Sequence, residues 1–258
     1  MSNYSKNFYD SVSNRAVVSA RITAEVLSGS LSPKSVVDIG SGQGVWLHSI
    51  CEEFSTVERA VALDLQPHES IFFEELKHSI NDFEFVQVNF EESSKIPNQN
   101  FDLAICLEVL EHLSPKTAVR VAQEMGTKCS FVIFSAAISG QGGTGHINER
   151  KFSYWMNLMA EQGFIALDVF RPALSKSKEV PGYYKQNMML FWHPENSQKS
   201  GLRIDLEKLL SKNRIRVADT RSVATRIRYG VISLIPSVVV TALVKVLDKT
   251  IRKITQQN

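Results

Sequence analysis

The sequence predicts an α/β fold, a mostly parallel sheet flanked by helices, carrying a basic helical C-terminal appendage. Three observations support this. Apolar runs recur at 35–39, 59–65, 83–88, 101–107 and 130–137, several of them separated by segments of helical spacing, and that alternation builds a parallel sheet. The first run leads straight into Gly40, Gly42 and Gly44 at every second position, and a buried strand entering a glycine-rich turn and then a helix is a nucleotide-binding arrangement. Finally, residues 201–258 hold 12 Lys+Arg against 4 Asp+Glu, a net of +8, while the other 17 basic and 23 acidic residues give −6. The overall +2 thus conceals a basic appendage on a mildly acidic body.

With 258 residues and 43% hydrophobic content, one α/β domain can bury its own core. Cys51, Cys106 and Cys129 stand in apolar surroundings at no metal spacing, which predicts reduced core thiols in a cytoplasmic protein. The opening MSNYSKNFYD has no apolar core, so no signal peptide is expected.

Residues 4–29 read as a helical lead-in closed by Gly29 and Pro33. The strand at 35–39 sets Asp38 among Val36, Val37 and Ile39, and its glycine turn lets the backbone approach a ligand without a Cβ intervening. The helix expected at 45–54 begins with N–H groups suited to a carboxylate. The strand at 59–65 ends near Asp64, able to accept from two ribose hydroxyls. After a helix at 71–80, the strand at 83–88 runs into Asn89 and Phe90, a polar group and an aromatic face for an adenine. Pro97 and Asn98 make a turn before the strand at 101–107, which leads into Glu108, Glu111 and His112. At i, i+3 and i+4 these three share one face if they begin a helix.

A helix at 116–125 and a strand at 130–137 follow, then ISGQGGTGHINER, with four glycines around His146. A flexible polar loop at the carboxyl edge of a parallel sheet is where ligands bind. Residues 151–162 read as an amphipathic helix capped by Gly163, and 164–170 and 188–192 as strands. Between those strands lies an insert of about seventeen residues with Arg171, Lys176, Lys178, Tyr183, Tyr184, Lys185 and Gln186, expected to face the substrate. Residues 193–201 read as a linker and 202–210 as a short amphipathic helix. A basic run (Lys212, Arg214, Arg216, Arg221, Arg226, Arg228) precedes the apolar stretch 230–247, which contains Lys245 and Pro236. That stretch falls short of the about 20 apolar residues of a spanning helix. A basic flank beside an apolar helix fits a membrane surface of anionic lipid; a hairpin docked on the body or a dimer contact are the alternatives.

The turn lacks the third glycine of the dehydrogenase fingerprint, and no Gly-Lys-Ser/Thr follows it, which excludes a P-loop. Taken together, D-x-G-x-G-x-G at 38–44, Asp64, Asn89-Phe90 and FDLAICLEVLEH at 101–112 resemble the class I S-adenosylmethionine-dependent methyltransferases over residues 30–195. The resemblance implies a Rossmann-like seven-stranded, mostly parallel sheet with a final antiparallel hairpin, a capping helix at 1–29 and an appendage at 201–258. It implies cofactor contacts from Gly40, Ser41, Gly42, Gly44, Asp64, Asn89, Phe90 and Leu107, with Asp38 ordering the turn.

The sulfonium methyl is already electrophilic, so the protein must position an acceptor and, for a hydroxyl, remove its proton. Glu108, Glu111, His112 and His146 offer a set for Mg²⁺ or Mn²⁺ that lowers the hydroxyl pKa. In the alternative, Glu111 and His112 cap a helix and His146 alone is the base. E-x-x-E-H with a later histidine resembles ubiquinone-pathway O-methyltransferases and small-RNA 3′-terminal 2′-O-methyltransferases, while GGTGHINE resembles methyltransferases of surface-polysaccharide and other sugar-modifying pathways. The expected reaction is therefore O-methylation of a sugar, glycan or related small hydroxylated acceptor, in the cytoplasm or at the inner membrane face through 212–253. RNA is the rival acceptor, although residues 201–258 supply a single aromatic, Tyr229, for stacking on bases. The other rival is a non-catalytic scaffold that binds a partner through its tail.

Overall fold

The computed structural model describes residues 6–93 and 95–212. In chain order the elements are α1 (Lys6–Leu27), β1 (Leu31–Ser32), β2 (Ser35–Ile39), α2 (Val45–Glu53), β3 (Arg59–Asp64), α3 (Ile71–Ser79), β4 (Asp82–Gln87), β5 (Phe101–Leu107), α4 (Pro115–Lys128) and β6 (Cys129–Ser135). There follow α5 (Phe152–Glu161), β7 (Ile165–Leu167), α6 (Arg171–Leu174), α7 (Gly182–Asn187), β8 (Met189–Trp192), α8 (Pro194–Ser200), β9 (Arg203–Ile204) and α9 (Leu206–Lys212).

Seven strands form one sheet in the order β4-β3-β2-β5-β6-β8-β7. The first five of that order are parallel, and β8 runs antiparallel to both β6 and β7. The central strands are apolar on both faces because helices cover both. Along β5, Leu103 and Ile105 join the core beneath α1 and α2, while Ala104 and Cys106 join the core beneath α4 and α5. The strand period of two assigns alternate residues to opposite layers. At the edge, β4 keeps only partial burial. The expected seven-stranded sheet with its final antiparallel hairpin is present, and the strand order reverses between β2 and β5. The crevice beyond the carboxyl ends at such a reversal is where open α/β sheets bind ligands.

Two stretches differ from expectation. Glu108, Glu111 and His112 do not share the face of one α-helix. Glu108 takes a left-handed backbone (φ 54), Leu110–His112 make a single 3₁₀ turn, and α4 starts only after Ser114, whose hydroxyl accepts from Thr117 N–H. Pro115 at the helix start excludes the helical backbone for the residue before it, so the helix cannot reach back to Glu108. Second, the 193–201 stretch read as a linker folds into α8. Asn196 there donates to the carbonyls of Gly126 and Cys129 at 2.9 and 3.0 Å. Beyond it β9 pairs with β1, Leu31 against Ile204, and Leu209 is fully buried in the core. The stretch begins with His193, Pro194 and Glu195 and reads as solvated, yet its Asn and Ser side chains serve buried carbonyls.

The basic run beyond Lys212, the apolar stretch 230–247 and hence the membrane association expected through 212–253 lie outside the described residues. Among the described residues, no helix is long and apolar enough to cross a membrane. Cys51, Cys106 and Cys129 are buried free thiols, and burial pushes Cys51 and Cys129 up to about 12.

Candidate functional site

The glycine turn is built by hydrogen bonds to β3. Gly40 and Ser41 N–H both donate to Leu63 O, at 2.8 and 3.0 Å, and Gly42 N–H donates to Asp64 Oδ2 at 2.7 Å. Gly40, Gly42 and Gly44 have φ of 73, 51 and 80, a region that disfavours a side chain. Two of them are also crowded: a Cβ at Gly40 would strike Val109, and one at Gly44 would strike Phe73. Gly44 therefore serves the packing of α2 on α3, and it does not line the cavity beside the turn.

That cavity, about 470 Å³, opens over the carboxyl ends of β2 and β5, and Gly40, Ser41, Gly42 and Leu107 are among the residues that line it. Ser41 Oγ is buried there without a hydrogen-bond partner, and a buried hydroxyl in that state is fitted to a polar group of a ligand. Asp38 also lines the cavity. Burial, then the Asp64 charge, pushes its carboxyl up to about 8, against the opposing pull of the Leu47 N–H at the start of α2. Asp64 has Oδ2 engaged by Gly42, while Oδ1 has only a 3.4 Å contact to Gln66 N–H and His68 at 3.9 Å. Oδ1 is thus the oxygen without a close donor, and Asp64 itself is not among the residues that line the cavity.

The structure keeps Asn89 and Phe90 out of the cavity lining. Asn89 spends its amide on Glu91 N–H and the Glu92 carboxylate, a local turn that asparagine forms readily, and Phe90 is packed in the core beneath α4. In their place stand Ala16 of α1, Trp46, His68, Ile105 and Tyr184. Ala16 gives the N-terminal helix a role at the cavity. Trp46 and Tyr184 meet edge to face at 5.2 Å, bringing the insert to this cavity. His68 comes four residues after Asp64, which was the one local hint of its position.

Past Leu107 lies a second, polar cluster. Glu108 Oε2 accepts from Gln141 Nε2 at 2.8 Å, and Gln141 Oε1 accepts from Asn187 Nδ2 at 2.7 Å, so α7 of the insert buttresses Glu108. A left-handed backbone at a non-glycine residue costs about 1–3 kcal/mol and persists only where the surroundings enforce it. Glu111 is fully buried. Its Oε1 accepts from Ala137 N–H at 2.9 Å, and its carbonyl accepts from Ile147 and Asn148 N–H. Burial first, then the Glu108 charge, pushes the Glu111 carboxyl up to about 8. Glu108 Oε1 and Glu111 Oε2 are both buried without a donor.

The glycine-rich loop is tied together by one carboxylate. Glu149 accepts from Gly140 N–H (2.9 Å), Gly142 N–H (2.7 Å) and His146 Nδ1 (2.9 Å). His112 Nδ1 donates to Gly145 O at 3.2 Å, and burial, then His146, lowers the pKa of His112. The two imidazoles meet edge to face at 4.8 Å. One ligand atom from each of Glu111, His112 and His146 lies within 4.8 Å of the others; Glu108 is outside this group. The cluster thus brings together three of the four residues expected to hold a metal.

Residues 36–129 match the family described as "Methyltransferase domain". The ubiquinone biosynthesis O-methyltransferase of Salmonella arizonae is 30% identical over 109 residues, 42% of this chain and 44% of that protein. The chain therefore matches less than half the length of this relative. Among solved structures, a putative O-methyltransferase from Nostoc punctiforme superposes with a TM-score of 0.50 at 12% identity, covering 70% of this chain and 56% of that one. LaPhzM gives 0.50 at 16% identity, covering 72% and 57%. At these identities the structures establish a shared fold.

Proposed function

We propose that this chain, whose residues 36–129 match a methyltransferase domain, is a class I S-adenosylmethionine-dependent enzyme that moves the cofactor's methyl group to an oxygen of a small hydroxylated acceptor, a sugar or glycan hydroxyl in the first instance. The observation that carries this reading is the cavity at the sheet's reversal point, where the glycine turn and the unpartnered Ser41 Oγ face one space, with the half-engaged Asp64 carboxylate bonded to the back of that turn. Each suits a nucleoside bearing an amino acid. Backbone N–H groups at the start of α2 favour a carboxylate, and Asp64 Oδ1 can accept from a ribose hydroxyl. When bound, S-adenosylmethionine supplies a methyl group already activated on a sulfonium.

The chain's own residues do the rest. Leu107 and Glu108 join the cofactor cavity to the polar cluster, so an acceptor held against the cluster meets the open end of the cavity. The His146 imidazole takes the hydroxyl proton as the oxygen attacks, worth about 10²–10⁴-fold for a well-placed base. Glu108, held by Gln141, orients the acceptor by accepting from a second hydroxyl. Trp46 and Tyr184 line the cavity with aromatic surface that excludes water.

A metal-assisted version has one observation in its favour, the convergence of Glu111, His112 and His146, a nitrogen and carboxylate donor set that suits Mn²⁺ or a similar ion. Methyl transfer from radiolabelled S-adenosylmethionine to nucleotide sugars, lipid-linked glycans, catechols and short RNAs, with Mn²⁺ and with chelator, tests both versions. Label on a neutral hydroxylated acceptor is expected. A rate untouched by chelation removes the metal, and a rate untouched by His146→Ala as well removes the base.

A further inference from the structure

We propose that Glu149 is the positioning residue of this site: it folds the glycine loop around its own carboxylate and fixes the His146 ring in the tautomer that leaves Nε2 free to accept a proton. The inference rests on the reading of His146 as the base.

Three donors converge on one carboxylate. Gly140 N–H reaches Oε2, while Gly142 N–H and His146 Nδ1 reach Oε1. Gly140 and Gly142 have φ of 87 and 72, and this left-handed backbone is what turns their N–H groups inward onto a residue seven to nine positions later. Such backbone carries little cost only in glycine. Gly143 serves the same end by another route. A Cβ there would occupy the place of the His146 ring, so the ring is seated against bare backbone. The GQGGTGHINE segment is one unit whose centre is the Glu149 carboxylate.

The tautomer follows from hydrogen-bond chemistry. An ionised carboxylate only accepts, and Glu149 is met by three donors, Gly140 N–H, Gly142 N–H and His146 Nδ1. A neutral His146 must then carry its hydrogen on Nδ1, which leaves the Nε2 lone pair bare. His112 is fixed in the same sense by a carbonyl, through Gly145 O. A carboxylate behind an imidazole also stabilises the imidazolium formed when the ring takes a proton, the role a buried acid plays behind the histidine of hydrolase triads.

The test uses the full chain with ¹⁵N-labelled histidine, chelator-treated and saturated with S-adenosylhomocysteine, the His146 signals being identified by their loss in His146→Ala. In the unaltered protein, His146 is expected to show a protonated-type Nδ1 and an unprotonated-type Nε2. Glu149→Gln offers one acceptor oxygen to three donors, and Glu149→Ala offers none. Both are expected to lose the Nδ1–H preference and to slow methyl transfer to the labelled acceptor by on the order of 10²-fold or more, with cofactor affinity within about twofold, which also reports an intact fold. An Nδ1–H tautomer that persists in both variants overturns the proposal. Loss of the tautomer preference at an unchanged transfer rate upholds the positioning and overturns only the assignment of His146 as base.

Discussion

Asp64→Asn separates the two tasks of one carboxylate. Oδ2 holds the glycine turn through Gly42 N–H, and Oδ1 is nearly free. An asparagine can keep the first task by turning its amide oxygen to Gly42, which then presents an NH₂ where the ribose needs an acceptor. The loss is one charge-assisted hydrogen bond, about 1.5–3 kcal/mol, or roughly 10- to 150-fold in affinity at about 1.4 kcal/mol per decade. Calorimetric titration with S-adenosylhomocysteine measures it, and the unfolding midpoint should move little because the turn keeps its anchor. The same substitution removes the charge that helps hold Asp38 protonated, so the Asp38 carboxyl should titrate at lower pH. Cofactor affinity within twofold of the parent, in a folded variant, would refute the assignment of Asp64 to the ribose and with it the orientation of the nucleoside in the cavity.

Gly143→Ala must displace the His146 ring; cofactor affinity should hold while methyl transfer drops about 10²-fold, the scale of an ångström's misplacement, and an unchanged rate would place His146 outside the reaction. Asp38 has an unfolded pKa near 3.8 and a folded value of about 8, so the folded state binds the extra proton. Its stabilising contribution is full below pH 4 and is lost as pH rises through 8, a few kcal/mol; urea unfolding at stepped pH should show that decline flattened in Asp38→Asn, and parallel curves would contradict the burial argument. Leu209→Ala should cost about 2–5 kcal/mol in the same assay if α9 belongs to the core, whereas a cost below about 1 kcal/mol would mean that the segment after β8 packs loosely.

What could be read from the residues, and what could not, divides along a physical line. β2, β5 and β6 were visible because both faces are buried, so their apolar runs are unbroken, and the glycine turn was visible because left-handed backbone and close approach both demand glycine. Asp64 was placed by chain geometry alone. The differences fall where a side chain had a choice of partners. Asn89 satisfies itself within its own turn, and Phe90 takes the core. Glu108 and Glu111 look equivalent at i and i+3, yet a left-handed residue and a proline-started helix send one to the Gln141 side chain and the other to the Ala137 N–H. Glu149 reads as a charged loop residue because its three donors are visible only once the loop closes. Spacing sees local ladders; it does not see a carboxylate collecting backbone N–H groups across nine residues.

The position of the insert has a topological cause. β8 runs antiparallel to β6, with Met189 opposite Phe134, so the start of β8 lies beside the carboxyl end of β6, where the chain enters the glycine loop. Any segment leading into β8 is thereby delivered to the ligand edge of the sheet, which a parallel strand in that place would not do. α7 occupies this position: Tyr184 turns to Trp46 and the cavity beside the glycine turn, while Asn187, two residues before Met189, reaches Gln141 and through it Glu108. One short helix touches both sides of the site because the last hairpin reverses the sheet's direction there. A change in that insert should therefore alter cofactor and acceptor affinity together, whereas a change in the glycine loop should alter the acceptor side alone.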